Sequence, residues 1–148
     1  MSAYHEALKM LARRELSEAQ VRQRLARRVE DRDSIDQAIA RLKAEGTIND
    51  ERVAGVIART QTTLKSRGRR RVQQQIEAAG IARSIASRAV DEAFQDLDAD
   101  ALLSASLEKR LRGRQRIDDD REFQRLFRYL TAQGFDTDRI LAHLRRLQ

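Results

Sequence analysis

The sequence predicts an all-α protein: an elongated, curved tandem array of three three-helix repeats, each with a helix-turn-helix-like second connection. Three observations carry this. The chain has no proline and is rich in Ala, Leu, Arg and Gln, a composition that favours helix throughout. Apolar residues recur at three- and four-residue spacing along the whole length, as amphipathic helices require. The pattern also repeats. Val21, Leu25, Ile35 and Ile39 correspond in register to Val72, Ile76, Ile85 and Ala89, and again to Leu126, Leu130, Ile140 and Leu144. Internal periods of this size, 51 and then 54 residues, mark arrays of one supersecondary unit. The repeats are placed at residues 1–48, 49–98 and 99–148.

The first helix is expected from about Ala3 to Glu15, with Ala7, Leu8, Leu11 and Ala12 on one face. Ser17 to Gln20 fits a capping box, in which the hydroxyl accepts from the backbone and Gln20 reaches back. It opens a second helix carrying Val21, Leu25 and Val29. A charged segment, Glu30 to Asp33, precedes a third helix with Ile35, Ile39 and Leu42 inside and Gly46 as its stop. The same grammar recurs. Asn49 and Asp50 can cap a fourth helix carrying Val53, Val56, Ile57 and Leu64. Gly68 breaks the chain before a fifth with Val72 and Ile76, closed by Gly80 and the apolar Ile81. A sixth carries Ile85, Ala89, Val90 and Ala93. After the acidic link at Asp96 to Asp100, a seventh helix holds Ala101, Leu102, Leu107 and Leu111 and stops near Gly113. Asp119 to Glu122 is a further candidate capping box, ahead of Phe123, Leu126, Phe127 and Leu130. Gly134 and Phe135 separate it from a last helix with Ile140, Leu141, Leu144 and Leu147.

Three such helices bury little alone, so neighbouring repeats must share apolar surface. Aromatics make up only 4% of the chain, and the core falls to Leu, Ile, Val and Ala. The lack of cysteine excludes disulfides and thiolate metal sites and suits a reducing cytoplasm. No apolar run approaches the roughly 20 residues that cross a bilayer. The opening M-S-A-Y-H-E-A-L lacks the basic-then-apolar layout of a signal peptide.

A net charge of +7 points to a polyanionic or acidic partner. The cations recur at the bend between the first and second helices of every repeat. Arg13 and Arg14 hold it in repeat one, with Arg22, Arg24, Arg27 and Arg28 following on the second helix. Lys65, Arg67, Arg69, Arg70 and Arg71 hold it in repeat two; Lys109, Arg110, Arg112, Arg114 and Arg116 hold it in repeat three. Cations near a helix C-terminus complement its dipole, which accounts for Arg13, Lys65 and Arg110. Arg69 to Arg71 sit at a helix start, where positive charge is unfavourable, so a binding role is assigned to them. If the repeats stack regularly, the bends form a track for phosphates or for an acidic groove.

Other features are assigned to structure. Tyr4, Phe94, Phe123, Phe127, Tyr129 and Phe135 fit apolar helix positions better than base-stacking ones, with Tyr129 partly exposed. His5 and His143 fall in different repeats without a ligand pattern, Asp118 to Asp120 read as a helix start, and Ser17 is a cap. No phosphate-binding glycine loop and no nucleophile elbow is present. No enzymatic activity, catalytic residue, metal or cofactor is expected.

Three segments carry a family resemblance. A-L-K-M-L-A-R-R-E-L-S-E-A-Q-V-R-Q-R-L resembles the pattern A-L-x-x-L-x-x-R-x-x-S-x-x-E-L-x-x-K-L that opens members of the RecX family of bacterial recombination regulators. G-T-I-N-D-E-R-V-A is similar to that family's G-Y-L-N-D-x-x-F-A, and G-R-R-R-V-Q-Q-Q-I-E-A-A-G-I to its G-x-x-R-I-x-x-E-L-x-x-K-G-I. The blocks span about half of the chain, and the third repeat matches in pattern only. Leu16, Thr47 and Val53 stand where the family often has aromatics, and Gln20 and Gln75 where Glu is usual. The resemblance implies three three-helix repeats and binding in the groove of the RecA nucleoprotein filament. It implies inhibition of strand exchange and ATP hydrolysis, and contact with single- or double-stranded DNA without clear sequence preference. A monomer acting in the cytoplasm, off the membrane, is expected. Arg13, Arg14, Lys65, Arg67, Arg69, Arg70, Arg71, Arg112, Arg114 and Arg116 are the residues assigned to DNA or filament contact. Asn49 and Asp50 are assigned to the joint between repeats one and two.

The alternative is an array of helix-turn-helix units acting on DNA or transcription without RecA, which requires a preferred duplex sequence. A third is an interaction module for an acidic protein. The array itself predicts a radius of gyration in small-angle scattering clearly above the roughly 15 Å of a compact chain of this length. A value at the compact limit would mean a single globular bundle.

Overall fold

The computed structural model describes residues 2–148 and is helical throughout, with no strand among them. The first repeat is α1 (Ala3–Arg13), α2 (Glu18–Ala26) and α3 (Arg32–Ala44). The second is α4 (Asp50–Arg59), which runs into a π-helical turn (Thr60–Leu64), then α5 (Arg69–Ala78) and α6 (Arg83–Gln95). The third is α7 (Ala99–Leu111), α8 (Asp120–Ala132) and α9 (Thr137–Arg145).

Local chemistry sets most boundaries. Ser17 forms a complete capping box with Gln20 at the start of α2. Asp31, Asn49, Asp98 and Asp119 cap α3, α4, α7 and α8 through their side-chain oxygens. At α8 only the forward half of the expected box forms, because Glu122 turns to Arg114 instead. The first helix ends at Arg13, two residues before Glu15.

Each repeat has its own core. The first gathers Ala7, Leu16, Val21, Leu25, Ile39 and Leu42; the second Ala54, Val72, Ile76, Ile81 and Ala86; the third Leu103, Leu130, Phe135, Ile140 and Leu144. Ile48 and Ile117, in connections, are buried as well. Four expected core residues are solvent-facing, Val56 among them at 37% exposure. The π turn rotates the end of its helix, and Leu64 is left 72% exposed. Ala101 lies on the outer side of α7, and Leu103 takes its place inside. Ala12 is likewise exposed on α1.

The accessible surface is 9582 Å², against about 7,700 Å² for a compact monomer of this mass. The repeats therefore stand in an extended row. One joint, used twice, holds the row together: the bend before the second helix of a repeat docks on the turn after the second helix of the next. At the first joint the Ser17 hydroxyl donates to the Ala79 carbonyl, and Glu18 N donates to Asp50 Oδ1 at 2.8 Å. A Cβ on Gly80 would stand 2.5 Å from that of Ala19. Arg52 bridges back to Glu15 and to the Gly46 and Thr47 carbonyls, each at 2.9 Å.

At the second joint Gly68 N donates to the Gln133 carbonyl at 2.8 Å, and Arg70 N to the Gly134 carbonyl at 3.2 Å. Gly68 offers α5 no side-chain cap; the Gln133 and Gly134 carbonyls, just past α8, satisfy two of the N–H groups at its start instead. The fit admits no side chain. A Cβ on Gly68 would fall 2.5 Å from the Gly134 oxygen, and one on Gly134 would fall 2.3 Å from Arg71 N. Gly134 also sits at φ +97°, a left-handed conformation.

Two substitutions test the joints by thermal unfolding. Ser17→Ala removes a cap and a buried hydrogen bond, and is expected to cost about 2 kcal/mol. Gly134→Ala adds backbone strain to a backbone clash and is expected to cost at least about 2 kcal/mol. The same change at Gly46, which also has positive φ but nothing within 4 Å of the added carbon, carries the strain alone and should cost less.

Candidate polyanion-binding surface

The first bend opens onto a concave site. The last turn of α1 and the last turn of α2 face each other across a cleft of about 550 Å³ lined by Lys9, Met10, Arg13, Arg14, Arg24, Arg27 and Arg28. Spacing explains the assembly: Lys9 and Arg13 are four apart on α1, and Arg27 and Arg28, in the turn that closes α2, follow Arg24 by three and four residues. Beneath them lies Glu6, only 5% exposed. Its carboxylate holds Arg28 at 3.1 Å and Lys9 at 3.7 Å. Among the described residues, Arg13, Arg14, Arg24 and Arg27 have no carboxylate within salt-bridge distance. The sequence groups Arg13 and Arg14 at the bend with Arg24, Arg27 and Arg28 after them; Lys9, which it does not single out, joins them where the fold brings the ends of α1 and α2 together.

The second bend is built differently. It is the docking edge of the second joint, so its cations stand beside the C-terminal end of α8. Positive charge that is unfavourable at the start of α5 is favourable there. Arg69 pairs with Asp91 and lies over the Phe94 ring at 5.6 Å. Arg67 donates to Gln61 Oε1 at 2.7 Å, while its Nε and the Nε of Arg71 are buried without a partner. Lys65 and Arg70 are exposed and form no ion pair among the described residues. The third bend leaves Arg112 and Arg116 exposed. Arg114 is engaged by Glu122 at 3.0 Å and Asp118 at 3.5 Å. Its hydrogen bond to the Glu122 carboxylate raises the Arg114 guanidinium above its ordinary value. Arg110 stacks over the Tyr129 ring at 4.1 Å.

The aromatics are occupied within the fold. Tyr4 donates to Glu45 at 2.7 Å under Arg41, Phe135 is 4% exposed, and Phe94, Phe123, Phe127 and Tyr129 pack half-buried on their cores. His143 lies 3.1 Å from Asp100, which also pairs with Arg139 at 2.9 Å. Hydrogen bonds from His143 and then from Arg139 hold the Asp100 carboxyl below the usual carboxylate range. This cluster ties α9 to α7. Among the described residues no three His, Asp or Glu side chains gather as metal ligands, and no helix is long and apolar enough to cross a membrane.

Similarity to known proteins follows the same architecture. Residues 3–42, the first helix triplet, match the family model described as RecX, first three-helix domain. The crystal structure of RecX from Lactobacillus salivarius superposes with a TM-score of 0.75, covering 98% of this chain and 94% of that one at 23% identity, which supports the fold. The regulatory protein RecX of Syntrophotalea carbinolica is 33% identical over 90% of this chain and 88% of its own length. That of Halorhodospira halophila is 31% identical over 92% and 82%. With likeness of that degree along nearly the whole length and all three repeats in place, the chain belongs to the RecX family of regulatory proteins.

Proposed function

We propose that this chain regulates recombination by binding the RecA nucleoprotein filament and inhibiting its recombinase and ATPase activities, with sequence-independent DNA contact as part of that binding. The observation that carries the reading is the near full-length correspondence to regulatory proteins named RecX. The extended row of repeats supports it, because a long body follows a helical groove where a globule touches only its rim. So do the cations that pair with no carboxylate among the described residues, Arg13 and Arg14, Lys65 and Arg70, and Arg112 and Arg116, which suit a DNA-containing surface. Arg67, Arg69, Arg71 and Arg114 belong to the same proposed set, though internal contacts engage all but Arg71. The protein performs no chemistry of its own in this scheme and acts in the cytoplasm as a monomer. Its three modules, at residues 1–48, 49–98 and 99–148, act as one rod.

The test is RecA ATPase on single-stranded DNA with and without this protein. Inhibition at substoichiometric to stoichiometric ratios is expected, and unchanged hydrolysis would remove the proposal. Lys65→Glu with Arg70→Glu, both exposed and clear of ion pairs, should weaken inhibition roughly tenfold while leaving the melting temperature in place. A sequence-specific duplex reader would instead bind one duplex over random DNA without RecA.

A further inference from the structure

We propose that the α1–α2 cleft of the first repeat is a binding site for the sugar-phosphate backbone of a nucleic-acid strand. The assignment rests on the filament reading for its biological setting and goes beyond it in naming one site and one ligand chemistry. Six cations and one thioether line the concavity, and no acid lines it. Five of the six cations are arginines, whose planar forks match phosphate oxygens two at a time. Four of them have no carboxylate within reach among the described residues, so their charge is available to a ligand.

The remaining two are placed. Glu6 is buried on the core side of α1 and holds Arg28 and Lys9 at the rim of the cleft. Charge is concentrated further by the end of α2, whose C-terminal carbonyls favour the cations gathered there.

The lining also separates phosphate from peptide. A peptide is held by apolar anchors in pockets as well as by charge. Here the apolar lining is Met10, itself only 8% exposed. No aromatic ring lines the cleft, so bases have nothing to stack on. What is left is recognition of a regularly charged backbone, blind to sequence. The second bend lacks this character, since its arginines border a joint and it forms no comparable all-cationic hollow.

Fluorescence anisotropy of a labelled oligothymidylate with the full chain, in the absence of RecA, tests the site. Arg24→Glu with Arg27→Glu should weaken binding by about tenfold or more and make the salt dependence shallower by at least about 1.4 in log–log slope, since each lost single-strand contact accounts for about 0.7. Arg125→Glu with Arg128→Glu, exposed on α8, makes the same charge change and should alter binding by less than about twofold. Arg24→Gln with Arg27→Gln repeats the test without reversing charge and should fall between the two. Equal loss in the cleft and α8 variants would overturn the site in favour of diffuse charge. Competition by poly-glutamate as strong as by unlabelled oligothymidylate would overturn it in favour of an acidic protein ligand. Competition by inorganic phosphate at matched charge would reduce it to a free-anion site. Cleft-dependent binding by a chain that leaves RecA hydrolysis unchanged would uphold the cleft and remove the filament reading alone.

Discussion

The structure depends on close approach at the two joints between repeats, made between main chains at the second and between side chain and main chain at the first. A three-helix unit of this size has a small core, so the contact with its neighbour adds to its stability. At the second joint that contact is an exchange of main-chain groups: the uncapped start of α5 donates to the spent end of α8. Two glycines allow the approach, and neither has room for a Cβ. At the first joint a serine hydroxyl replaces one of the main-chain donors, reaching the Ala79 carbonyl from the position 51 residues before Gly68. The same geometry is thus reached with different side chains, and it fixes the direction in which the row extends.

That constraint divides the cations into two populations. Those at the second bend lie where one helix begins against the end of another, so part of their charge balances a dipole within the molecule. Those of the cleft in repeat one face solvent. At the two ends of the row, the surfaces that inner repeats use for docking are both basic. The turn after α2 carries Arg27 and Arg28, and the bend before α8 carries Arg112, Arg114 and Arg116.

Much of this was legible in the residues. The capping box at Ser17, the Asn49 cap and the glycine stops at Gly46, Gly80, Gly113 and Gly134 all follow from local rules, and all four of those glycines adopt positive φ. The apolar register placed Val21, Leu25, Val72, Ile76, Leu130, Ile140 and Leu144 correctly in their cores. The failures have a common cause. Leu64 has helical spacing, but the π turn shifts the phase of the last residues and turns it outward. Gly68 reads as a helix breaker, whereas its role is to let another repeat come close. The cleft needed the pairing of α1 with α2, and Glu6 at its base reads as an ordinary first-turn acid until that pairing buries it.

An extended row is a costly way to arrange so few large apolar residues, and its surface shows what the arrangement leaves available. Relative to a compact chain of the same mass the molecule exposes about 1,900 Å² more, close to the total buried in a standard protein–protein interface. A single globule would cover that area with its own side chains and could not carry its cations in separate groups along its length. Here the joints are narrow and made largely by main chain and small residues, so they use little of the polar surface. Arg13, Arg14, Arg24 and Arg27 at one end and Arg112 and Arg116 at the other stay exposed because the contacts that hold the repeats in line were made elsewhere.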